Sequence, residues 1–113
     1  MRVDVSDYKN ADIRLRYAVK DARDFSAFFE RRGQQRNVNV KSLTLTDSDV
    51  GVDLIAHMRY FLHGKKAGDP VMVLFSGHGS LDSKLDYCFG SYEVDSQAPQ
   101  LAGYSYDSTI ECV

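Results

Sequence analysis

A chain of 113 residues has room for one hydrophobic core and too little for two. With 43% hydrophobic and 27% charged residues, two prolines and no low-complexity tract, it falls among soluble globular chains and outside the disordered class. A formal charge of −2 without a basic stripe excludes a nucleic-acid partner held by phosphate neutralisation, and the longest apolar run, Val71 to Phe75, is far short of the roughly 20 residues that a membrane span needs.

No signal-peptide pattern opens the chain, and the two cysteines, Cys88 and Cys112, have no CxxC spacing. A cytoplasmic protein with free thiols is expected. In chain order, "MRVDV" is a stub where an α/β domain usually begins with a full first strand. From Leu15 to Arg32, Ala18, Ala22, Phe25 and Phe29 recur at helical spacing, and Gly33 supplies a stop. "NVNVKSLTL" alternates at Val38 and Val40, then changes parity at Leu43 and Leu45, as one strand with a bulge does. "TDSD" offers caps for a second helix whose stripe is Leu54, Ile55, Met58, Phe61 and Leu62, ending at Gly64.

"KKAGDP" is a polar turn into Val71 to Phe75, a continuous apolar strand of the kind buried on both faces at the centre of a parallel sheet. "LDYCFGSYEVD" holds a shorter strand, "SQAPQLAG" a loop, and "SYDSTIECV" a helix start capped by Ser105 or Asp107. Helices and strands in alternation predict an α/β domain with a parallel sheet, in which functional groups gather at the carboxyl ends of the strands.

His78 sits at such an end, between Gly77 and Gly79. It is placed to act as general acid or base, with the Gly79 N–H donating to a developing oxyanion; the plainer alternative is a histidine bonded at a strand end for structural reasons. His57 and His63 lie six apart on the second helix and do not align as a metal-ligand pair, so no metal and no cofactor are expected. "SGHGS" lacks the length and the lysine of a phosphate-binding loop.

"LRYAVKDA" (15 to 22) and "VMVLFSGHG" (71 to 79), with Asp21 and His78 57 residues apart and a helix, a strand and a helix between, resemble the first half of the caspase-like cysteine peptidase domain. That group contains caspases, metacaspases and their bacterial relatives. "DYCFGSYEVD" and "YSYDSTIEC" are similar in layout to the strand and helix start that come after the histidine in that group. The resemblance implies a three-layer αβα sandwich with a mainly parallel sheet, incomplete here at both ends, as one partial domain over residues 1–113. It implies a catalytic His78, an oxyanion donor at Gly79, and Asp21 in a pocket for a basic substrate side chain, with Arg16 beside it. A carboxylate in the first turn of a helix is also stabilised by the helix dipole, which is the structural account of Asp21. Caspases proper select acidic side chains with arginines, and Arg14 or Arg16 would serve that choice.

In this family the nucleophilic cysteine follows the histidine by roughly 50 residues, at the end of the next buried strand. This sequence runs 35 residues past His78; Cys112 lies in a helix start and Cys88 inside a strand candidate, and neither has the setting of the nucleophile. The expectation is the histidine-bearing part of a cysteine endopeptidase, inactive alone, whose partners are a polypeptide substrate and the remainder of the domain carrying the cysteine. Bare sheet edges favour pairing with that segment or self-association as a homo-oligomer. The alternative is a non-catalytic caspase-like module for protein–protein contact.

Overall fold

The computed structural model describes residues 1–95 and 97–111. Strand β1 (Arg2–Asp4), helix α1 (Ala18–Gln35), strand β2 (Thr44–Thr46), helix α2 (Leu54–His63) and strand β3 (Leu74–Ser76) build a parallel sheet in the order β2-β1-β3. Strands β4 (Gly79–Leu81), β5 (Tyr87–Gly90) and β6 (Gly103–Ser105) form an antiparallel sheet in chain order, with short helices α3 (Pro99–Ala102) and α4 (Tyr106–Ile110) around β6. The parallel α/β unit matches the sequence reading, while half of the pairing is antiparallel and comes from residues beyond the histidine.

The order of strands corrects one expectation. The stub at the N-terminus is the centre of the sheet, in register with Thr44 to Thr46 on one side and Leu74 to Ser76 on the other. Among the described residues the apolar run before the histidine contributes the edge strand β3, half-buried throughout, and Val71 to Val73 lead into it, the Met72 carbonyl accepting from the amino terminus of Met1 (2.9 Å). The short first strand takes the centre because Val3 and Val5 are fully buried, each contributing about 1.5–3 kcal/mol of apolar burial. They pack with Leu45 of β2, Val50, Leu54 and Met58 at and on α2, and Phe89 of β5 in one core. The Phe75 and Phe89 rings, 5.0 Å apart, join the two sheets.

Other boundaries shift for local reasons. Helix α1 passes through Gly33, which is buried because a Cβ there would run into the Val40 side chain. Beyond its C-cap Arg36, Asn37 has a φ of 52° that allows Val38 N–H to reach the Gly33 carbonyl (2.9 Å) and Asn37 N–H the Gln34 carbonyl (3.3 Å), a Schellman closure. Val38 and Val40, read as strand, are exposed covers over that end, leaving β2 three residues long. "TDSD" does not cap α2: Asp47 turns back, and its carboxylate accepts the N–H groups of Ser6 (2.9 Å) and Asp7 (2.8 Å) where the chain leaves β1. Ser6 Oγ in turn accepts Val19 N–H (3.0 Å) and serves as the distant cap of α1, where Tyr17 makes no side-chain cap. Ser105 caps α4 by accepting Ser108 N–H, as its sequence suggested.

The face of the parallel sheet that meets α1 is polar. Arg2 donates to the Ala22 carbonyl (2.7 Å) and to Thr44 Oγ1 (2.9 Å), and Ser76 Oγ donates to the Ala18 carbonyl (3.2 Å). Asp4 lies on the same face, fully buried, and among the described residues neither of its carboxylate oxygens has a hydrogen-bond partner. Burial pushes its carboxyl up to about 6 from 3.8; Arg2 and Arg23 pull it down and Asp47 pushes it further up. A carboxyl raised in the folded state favours folding while protonated, and that stability is lost as pH rises through about 6. Asp4→Asn is therefore expected to be more stable than the parent by about 2–3 kcal/mol at pH 8 and equal to it near pH 4, read by denaturant unfolding at the two pH values. Equal gains at both pH values would mean that Asp4 does not titrate in this range.

Candidate active site

At the end of β3 the chain is held from several directions. Val5 N–H donates to the Ser76 carbonyl (2.9 Å), so the turn begins from the central strand. His78 N–H donates to the Tyr8 hydroxyl (2.6 Å), and its carbonyl accepts Gly90 N–H (2.8 Å) from β5. The imidazole Nε2 is 2.6 Å from the Ile13 carbonyl. A carbonyl oxygen only accepts, so Nε2 carries the proton and Nδ1 of the neutral ring is left as the acceptor. The Ile13 carbonyl is itself steady: it ends a 3-10 turn, Ala11–Ile13, that is capped by Asn10 accepting Asp12 N–H (3.0 Å).

Gly79 opposes Phe89 in the β4–β5 ladder. Since His78 and Gly90 are the bonded pair, the alternation of an antiparallel ladder turns the Gly79 N–H away from β5. Gly79 is exposed, and the Tyr87 ring, diagonal to it on β5, lies where a Cβ would stand. The glycine leaves one face of the peptide open and lets the other be covered by an aromatic ring. A fixed base and an outward N–H beside it are two of the groups that an acyl-transfer site uses.

The remaining sequence candidates are not brought together here. Asp21 stands in the first turn of α1, exposed, and Arg16 is exposed before it; among the described residues neither side chain makes a hydrogen bond or ion pair. Arg14 is engaged elsewhere, paired with Asp7 (2.7 Å). Cys88 is buried on β5, and its thiol is pushed up by burial and then by Asp82 and Asp86, which keeps it protonated and a poor nucleophile. Cys112 lies outside the described residues. Sequence reasoning missed Tyr8, Tyr87 and the Ile13 carbonyl. A main-chain oxygen has no residue type to signal it, and Tyr8 sits in a stretch without periodicity.

The family model of the caspase domain, peptidase family C14, matches residues 3–109, and the chain belongs to that family. No curated protein and no solved structure matches the chain. Among the described residues no helix is long and apolar enough to cross a membrane.

Gly79→Ala is expected to lower stability by about 1 kcal/mol, the low end of overpacking, because the half-exposed Tyr87 ring can swing away. In Tyr87→Ala the same substitution should cost little, and thermal unfolding of the parent and the three variants measures the coupling; additive losses would show that the two residues do not compete for this space.

Proposed function

We propose that the chain is the histidine-bearing part of a caspase-like cysteine endopeptidase and, in the complete domain, part of a three-layer αβα sandwich. The observation that carries this reading is the bond between His78 Nε2 and the Ile13 carbonyl, which leaves Nδ1 as the base. A thiol from a further segment gives its proton to Nδ1, and its sulfur attacks the scissile carbonyl carbon. The oxyanion is received by Gly79 N–H, the imidazolium protonates the leaving amine, and water, deprotonated by the same ring, then releases the acyl group.

The segment supplying the thiol pairs with the outer edge of β3, which meets no other strand among the described residues. Beside that edge runs an apolar groove of about 310 Å³ lined by Val73, Phe75, Met58, Phe89 and Tyr104, of a size and character to receive the side chains of an added strand. Cleavage after a basic residue is favoured over cleavage after an acidic one, because Asp21 is an uncommitted carboxylate on the helix whose start touches Ser76, two residues from His78.

In the protein that includes the cysteine segment, His78→Ala is expected to lower kcat at least a thousandfold with the fold retained, measured on a peptide library and by circular dichroism. Undiminished proteolysis would return the chain to the reading of a non-catalytic contact module. Asp21→Ala should lower kcat/KM about tenfold or more for peptides cut after Arg or Lys; an unchanged preference removes Asp21 from the pocket.

A further inference from the structure

The Tyr8 side chain is fully buried in the core shared by Val3, Val5 and Leu54. A phenylalanine would fill that place equally well, and a buried hydroxyl is costly unless it is hydrogen-bonded. Its bond is to the His78 N–H, at 2.6 Å, and the two rings stand 5.0 Å apart. The turn is shaped around the hydroxyl: a Cβ on Gly77 would lie 2.6 Å from the Tyr8 oxygen and 3.1 Å from the Phe89 ring. Ser6 and Asp47, two residues before Tyr8 and across from it on β2's exit, fix the path of its backbone.

We propose that Tyr8 is the positioning residue of His78, holding the peptide N–H so that the imidazole stays on the Ile13 carbonyl and presents Nδ1. The proposal rests on the peptidase reading for its effect on rate, but not for its effect on the ring. Without the hydroxyl, the His78 N–H is left unpartnered inside the turn and the peptide is free to rotate, so the imidazole loses its fixed direction. Burial, the leading influence on Tyr8, raises its pKa, so the hydroxyl remains neutral at physiological pH and serves by its lone pair rather than by its charge.

The test is Tyr8→Phe, read first by 15N NMR of the His78 ring in this chain. The parent should show the Nε2–H tautomer alone, and the variant a mixture of both tautomers with a downfield His78 amide signal moved upfield. In the complete protein the same variant should lose about tenfold to a hundredfold in kcat with KM within twofold, the cost of a base displaced by about an ångström. An unchanged tautomer, amide shift and kcat would overturn the proposal. A complete parent protein that cleaves nothing would defeat the peptidase reading alone, because the ring and amide signals still decide the role of Tyr8. Should Tyr8→Phe fail to fold, a fluorotyrosine placed at position 8 keeps the shape and weakens the acceptor; the His78 amide signal must then move upfield, and its constancy would sink the idea.

Discussion

Three residues with hydrogen bonds on both edges hold this structure together. Strand β1 is paired along its whole length to β2 and β3, and both parallel partners end level with it, at Thr46 and Ser76. A parallel pair needs a long crossover, and here the crossovers are α1 and α2, so neither helix has a place until β1 is seated. The exit of β1 then does most of the positioning: Ser6 caps α1, Asp47 gathers the Ser6 and Asp7 N–H groups, and Tyr8 reaches the turn after β3. The candidate base is therefore fixed by a segment 70 residues away in the sequence, through main-chain groups and one hydroxyl.

The two faces of that strand are unequal. Val3 and Val5 face the apolar core with Leu54 and Met58, while Arg2 and Asp4 face α1. Small residues on the helix, Ala18, Ala22 and Ser26, bring its backbone close enough for Arg2 and Ser76 to bond to helix carbonyls. Asp4 is fully buried at this interface, and Arg2 is engaged with Ala22 and Thr44. The unpaired carboxylate is the cost of an interface built from helix carbonyls, and it falls where stability depends on pH instead of on packing.

Much of this is legible in the sequence, and the failures share a cause. Helical stripes stand out because Leu54, Met58 and Leu62 on α2, and Ala18 and Ala22 on α1, are buried on one face each at the period of the helix. The strands are harder, since β1, β2 and β3 are three residues each, below the length at which alternation is informative. Val71 to Phe75 suggests a central strand because a long apolar run is what a doubly buried strand displays, yet here Val73 and Phe75 line a groove beside an edge that meets no other strand among the described residues. At the candidate site, Gly-His-Gly is marked by residue type, whereas Tyr8 and Ile13 act through a hydroxyl and a carbonyl brought in by the fold.

The β4–β5 hairpin explains why the histidine is bracketed by glycines. Gly77 is required from below, by the Tyr8 hydroxyl and the Phe89 ring, and Gly79 lets the movable Tyr87 ring lie over it from above. Between them His78 spends its N–H on β1's extension and its carbonyl on β5, so its backbone ties the parallel sheet to the antiparallel one. A turn serving only as a connection would gain nothing from a histidine there, whose ring reaches out of the hairpin to a third segment at Ile13. Three separate chain segments thus converge on one residue, Tyr8 and Gly90 on its main chain and Ile13 on its ring, beside an edge of β3 that meets no other strand among the described residues.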